Sequence, residues 1–184
     1  SVEAPQPREA EQTAADNAPA LAGLRVIELA EGVPGPVCGF LLAQLGAEVV
    51  KVEPPGGDWL RDVPPGDEGE SALFAALNSG KQGMVIDLKT AAGRTELLSL
   101  IAEADVAVVG YRPHKLERLG IAYEQLRAEN GRLIYCQISG AGTEGPWANH
   151  AMTELDVQEA TGINYMVGHR EGPPSRLGYD VVST

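Results

Sequence analysis

The pattern of apolar positions changes period several times along the chain. Residues 24–29, centred on Val26, Ile27 and Leu29, form a short apolar run bounded by glycines, which predicts a strand. A loop with Gly32, Pro34 and Gly35 follows, and then a helix from about Pro36 to Leu45. Proline suits a first helical position, because the N–H it lacks would have no partner there. Gly46 closes the helix, and residues 48–53 form a second strand carrying Val49, Val50 and Val52. A strand–helix–strand unit of about 30 residues is the building block of a parallel sheet.

The rhythm then repeats. Residues 54–70 are dense in Pro, Gly and Asp and predict a loop, after which Ser71 caps a short helix to Asn78. Residues 82–87 give a third strand. Thr90 caps a helix reaching about Glu103, with Leu97, Leu98 and Ile101 on one face. Residues 105–109 are almost continuously apolar, as expected of a strand covered on both sides. A helix over 123–129, a strand over 133–139, a Gly-rich turn at 140–145 and a helix over 154–161 complete the series. This alternation predicts the α/β class: an open, Rossmann-like parallel sheet with helices on both faces. Ligands of such sheets bind beyond the carboxyl ends of the strands. Here those ends are residues 30–35, 54–58, 87–89, 110–113 and 139–142. Residues 1–20, rich in Ala, Pro, Glu and Gln, have no hydrophobic period and are expected to be a tail or linker. Residues 21–184 then form one domain, expected to be incomplete because the chain stops at Thr184 in what reads as a further strand, 177–182.

Composition narrows the function classes. With 14 Lys and Arg against 26 Asp and Glu, the net charge is −12. That sign disfavours nucleic acid and anionic membrane surfaces as partners. It leaves room for a small anion wherever a few cations cluster. No apolar run approaches the roughly 20 residues of a membrane span, and no signal pattern opens the chain. A cytoplasmic location is expected. Cys38 and Cys136, far apart in sequence and each within an apolar run, are expected to be buried free thiols. His114, His150 and His169 lack metal-ligand spacing, so no metal site is expected. The glycine fingerprint of dinucleotide-binding enzymes is missing after the first strand, which disfavours NAD.

Specific chemistry enters through a set of short motifs. They are the first strand leading to Gly35-Pro36, then Leu41 to Asp58 with its Gly46-Ala47-Glu48-Val49-Val50-Lys51-Val52-Glu53-Pro54-Pro55-Gly56-Gly57-Asp58 core, and Leu77-Asn78-Ser79-Gly80-Lys81. Asp87-Leu88-Lys89, Tyr111-Arg112-Pro113, Leu116-Glu117-Arg118-Leu119-Gly120, Arg132 to Cys136 and Gly140 to Pro146 follow in order. In this order and spacing the chain resembles the class III CoA-transferases of the formyl-CoA and carnitinyl-CoA transferase type, with which α-methylacyl-CoA racemases share the pattern. The resemblance runs from about Leu21 to Thr184.

The resemblance implies a coenzyme A site and a function: moving CoA from an acyl-CoA donor to a carboxylic acid acceptor. Carried over position by position, it assigns coenzyme contacts to Val33 and Pro34 after the first strand and to Ile86 and Lys89 at the third. At the fourth it assigns Gly110, Tyr111 and Arg112, with Arg118 at the nucleotide end, and after the fifth Ser139, Gly140, Ala141 and Gly142. CoA needs cations for its phosphates and flat apolar surface for its adenine, and these residue types supply both. The alternatives are a solvated Arg118 paired with Glu117 or Glu124, and a Tyr111 that only packs in the core. The family also implies two interlocked chains, or pairing with the second part of the large domain.

The chain departs from the family at the nucleophile. The family's aspartate follows the Gly-Pro after the fifth strand by about nine residues, and that count ends on Glu154, with Asp156 two residues out of register. A glutamate is one methylene longer, and a misplacement of about 1 Å can cost on the order of 100-fold. Glu154 is therefore either a working substitute, the mark of a degenerate site, or a carboxylate placed to suit a helix N-terminus. A non-catalytic CoA-binding or assembly module is the alternative function. Racemisation is disfavoured, because Thr153 and approximately Ser183 stand where the racemases place their base residues, and a hydroxyl is no base near neutral pH.

Overall fold

The computed structural model describes residues 18–67, 70–167 and 171–177. Residues 1–17, His169, Ser183 and most of the apolar run at 177–182 lie outside the described residues. Strand β1 (Arg25–Leu29) leads to helix α1 (Pro34–Gln44) and strand β2 (Glu48–Glu53). A single 3₁₀ turn (Trp59–Asp62) and a small antiparallel pair, β3 (Gly66–Asp67) with β4 (Glu70–Ser71), occupy the segment predicted to be loop. Helix α2 (Ala72–Asn78), strand β5 (Gln82–Val85), helix α3 (Ala91–Ala102) and strand β6 (Val106–Val109) follow. Helices α4 (Pro113–Leu119) and α5 (Tyr123–Glu129), strand β7 (Ile134–Gln137), helix α6 (Glu154–Ala160) and the single turn α7 (Ile163–Met166) complete the order.

Five strands form one all-parallel sheet in the order β5-β2-β1-β6-β7. This is the Rossmann order, and the direction of winding reverses between β1 and β6. Alternation along the strands sorts the side chains onto two faces. Ile27, Leu29, Val50, Val52, Ala107 and Val109 pack with Leu97 and Ile101 of α3, Leu116 and Leu119 of α4, and Leu126 of α5. Val26, Val49 and Val108 face the other way, against Cys38, Leu42 and Ala43 of α1. Both faces are covered, which is why β6 is apolar throughout.

Local signals account for most helix ends. Ser71 Oγ accepts from Phe74 N at 3.3 Å and Thr90 Oγ1 from Gly93 N at 3.0 Å, so both predicted caps are present. Helix α1 begins at Pro34 rather than Pro36, with Val33 as its cap residue. Helix α4 lacks a side-chain cap and opens on Pro113; its end is set by Gly120, whose φ of +74° is the left-handed conformation that favours glycine. The two cysteines are free, half-buried rather than fully buried, and face one another between α1 and β7. No helix among the described residues is long and apolar enough to cross a membrane.

Candidate functional site

The turn after β1 is fixed from below by a buried ionic network. Parallel register places Glu28 beside Lys51, both on the α1 face of the sheet. Lys51 Nζ reaches Glu28 Oε1 at 3.0 Å, Asp58 Oδ2 at 2.9 Å and the Ala30 carbonyl at 2.8 Å. Lys81 Nζ reaches Glu28 Oε2 at 2.7 Å, the Pro36 carbonyl at 2.8 Å and Asn78 Oδ1 at 2.9 Å. Each ammonium thus has three oxygens within 3.0 Å, of which Asp58 Oδ2 and Glu28 Oε2 are ion-pair contacts without hydrogen-bond geometry. Asp58 Oδ1 accepts from the Gly32 and Leu60 amides at 3.1 and 2.9 Å. Two cations balance two carboxylates, so the cluster is neutral, and its close ion pairs offset the cost of burying charge. Room for it comes from Gly39, where any Cβ would collide with the Glu28 carboxylate. Ala30, Gly32 and Pro36 are held by their backbone atoms, and the intervening residues 31–35 are presented to the strand ends.

Glu53, the next residue of β2 on that face, braces the following loop. It accepts from Asp58 N at 2.9 Å and from both Arg61 Nε and a terminal Arg61 nitrogen at 2.8 Å. Burial alone would raise its pKa, but the Arg61 and amide bonds prevail and hold it below the ordinary glutamate value.

Two cavities open at the carboxyl ends of the strands, around the reversal point between β1 and β6. The larger, of about 520 Å³, has an apolar floor of Val52, Ile86, Leu88 and Leu119, with Lys89, Lys115 and Arg118 at its rim. The smaller, of about 210 Å³, is walled by Pro34, Trp59, Gly110, Arg112, Ser139, Gly140 and His150. Glu31, Tyr111 and Lys115 line both. Lys115 lies 3.6 Å from the Tyr111 ring centroid, a cation–π contact. Burial pulls the Lys115 pKa down; Glu31 raises it, while Arg112, Arg118 and Lys89 lower it further. These four cations therefore form a local positive field on a chain of net charge −12.

Of the residues singled out from sequence, Ile86, Lys89, Tyr111 and Arg118 share the larger cavity, and Pro34, Gly110, Tyr111, Arg112, Ser139 and Gly140 share the smaller. Val33, Ala141 and Gly142 line neither. Arg118 is exposed and makes no ion pair with Glu117 or Glu124. Tyr111 packs against the main core and also walls both cavities. Glu154 lies two residues beyond Met152, the last wall residue of the smaller cavity, but lines neither cavity. It is 7% exposed at the first position of α6, and its Oε1 accepts from Gln158 Nε2 at 2.8 Å. Asp156 is committed elsewhere: it takes the Thr153 amide and hydroxyl at 2.8 and 2.6 Å in a capping box. Among the described residues no three His, Cys, Asp or Glu converge as a metal site would require.

Sequence reasoning missed Glu31, Trp59, Lys115 and His150 as wall residues. Lys115 left a signal. Pro113 is a helix start, and on a helix Arg112, Lys115 and Arg118 fall three apart, on one face. His150 left none, because its position depends on contacts distant in sequence: the Asn149 carbonyl accepts from Arg112 at 3.1 Å and the Asn149 side chain from His114 N at 3.0 Å.

Comparison with known proteins agrees with this architecture. The chain is 40% identical over 171 residues to succinate–glutarate CoA-transferase of Agrobacterium fabrum, covering 89% of this chain and 43% of that protein. It is 40% identical over 157 residues to acetyl-CoA:oxalate CoA-transferase of Acetobacter aceti, covering 85% and 40%. Among solved structures, a CAIB/BAIF family protein from Brucella suis superposes with a TM-score of 0.82 at 39% identity, covering 89% of this chain and 44% of that one. The chain thus spans less than half the length of these relatives. The sequence profile of CoA-transferase family III matches residues 21–184, and the chain belongs to that family.

Proposed function

We propose that this chain is the coenzyme-binding first part of an acyl-CoA:carboxylate CoA-transferase. The observation that carries the reading is the pair of cavities at the sheet's reversal point, rimmed by Lys89, Arg112, Lys115 and Arg118 over an apolar floor. Phosphates need the cations and adenine needs the floor. The larger cavity by itself falls within the roughly 300–1,000 Å³ of cofactor-sized pockets. In this reading Lys89 and Arg118 hold the nucleotide end, and the acyl end runs past Tyr111 toward Ser139, Gly140 and His150. Val33, Ala141 and Gly142 shape the backbone of the two strand-end turns from outside the cavities. The active unit is an interlocked homodimer or this part joined to the second part of its large domain.

Glu154 is the candidate nucleophile. Its carboxylate attacks the thioester carbonyl and expels CoA thiolate, leaving an acyl–glutamyl anhydride. The thiolate then attacks the glutamyl carbonyl, releasing the first acid and leaving a glutamyl–CoA thioester. The acceptor carboxylate repeats the two steps in reverse. Gln158 supports this role by fixing one carboxylate oxygen, whereas the Asp156 carboxylate is engaged with Thr153 in the capping box. The same burial of Glu154 against Gln158 favours the second reading, a module that binds CoA without turnover.

Hydroxylamine trapping separates them. The full-length protein incubated with acyl-CoA and hydroxylamine is expected to carry a hydroxamate on Glu154, detected by peptide mass spectrometry. In Glu154→Ala the adduct disappears while CoA affinity is kept. An unmodified Glu154 in protein that binds CoA leaves the binding module.

A further inference from the structure

Glu31 is an acid at the centre of a cationic crevice. It is half-buried, lines both cavities, and faces the Tyr111 hydroxyl and the Lys115 ammonium at their junction. No resemblance assigns it a role, and its charge opposes that of any phosphorylated ligand. We propose that Glu31 is an internal anion that shares the Lys115 junction of the two cavities and competes there with the ligand's phosphates. It is thereby a specificity-determining residue: only a ligand with enough negative charge at the junction displaces it. The proposal rests on the CoA reading for its natural ligand.

The surroundings support displacement over a permanent pair. Glu31 accepts a hydrogen bond from the Tyr111 hydroxyl, but no ion pair within 4.0 Å ties it to Lys115, whereas Glu28 and Asp58 below it are locked by ion pairs of 3.0 Å or less. Burial raises the Glu31 pKa and nearby Asp58 raises it further, while Lys115, Lys51 and Tyr111 only partly offset this. An ionised Glu31 is thus poorly compensated where it lies. Arg112 and His150 wall the same cavity and remain to receive the anion.

Glu31→Gln keeps the shape and removes the charge. In the full-length protein it is expected to tighten CoA binding by roughly three- to tenfold at pH 8, as loss of one like charge at a partly exposed site predicts. Wild-type affinity is expected to rise as pH falls and Glu31 takes up a proton. Every other group of the cavity is common to both proteins, so the difference between their pH profiles isolates Glu31. Glu31→Asp retains the charge and is expected to keep the pH-dependent gap. Tighter binding with a shallower pH profile in Glu31→Gln supports the proposal, including the case in which only the variant binds detectably. Equal or weaker CoA binding by Glu31→Gln, with the wild type binding normally, overturns the proposal and leaves the CoA reading intact. Absence of binding by both proteins overturns both.

Discussion

Replacing Lys81 with Met is expected to lower the unfolding free energy of the full-length protein by roughly 3–5 kcal/mol, the usual loss when one partner of a buried ion pair is removed. Methionine matches the length of the lysine but donates nothing. Glu28 Oε2 would lose its 2.7 Å partner, and the Pro36 carbonyl and Asn78 side chain their donor. The Glu28 carboxylate is 0% exposed, so water cannot replace the ammonium. Adding Glu28→Gln removes the stranded charge, and the double variant is expected to be less destabilised than Lys81→Met. Urea denaturation followed by circular dichroism measures all three. A loss below about 1 kcal/mol, typical of exposed pairs, would mean the network is hydrated.

Arg118→Ala is expected to weaken CoA binding about tenfold or more, in line with the roughly 1.5–3 kcal/mol of a charge-assisted hydrogen bond. Because Arg118 is exposed at the rim, the lower end of that range applies and the effect is expected to shrink with added salt. Lys89→Ala acts on the same cavity and is expected to lose affinity in the same direction. The circular dichroism spectrum of both should match the wild type, since neither side chain supports the core. Unchanged affinity in both variants would remove these two cations from the ligand.

The fold was legible because its signals are local. The apolar runs of β1, β2 and β6, the caps Ser71 and Thr90, and the stop Gly46 are properties of a few neighbouring residues. Helix α4 went unassigned because its seven residues carry charges on most positions and only Pro113 marks the start. The 3₁₀ turn and the β3–β4 pair were hidden in a Pro- and Gly-rich loop. The order of the 3₁₀ turn comes from Asp58, Glu53 and Arg61, whose bonds no periodicity reports. The motifs quoted for the family resemblance contain Glu28, Lys51, Asp58 and Lys81 as separate letters; only the structure brings them into one cluster beneath the site. Cys38 and Cys136 show the same limit, being 98 positions apart in the chain yet adjacent in space. For Glu154, counting supplied a candidate position, and only the structure shows its contact with Gln158.

Amide hydrogen exchange on the full-length protein, with and without CoA, tests the central claim most directly. If the coenzyme occupies the crevice where β1 and β6 diverge, exchange should slow in residues 31–35, 86–89, 110–118 and 138–140, and stay unchanged in α5, which lines neither cavity. Protection confined to other segments, or none at saturating CoA, would contradict a strand-end coenzyme site.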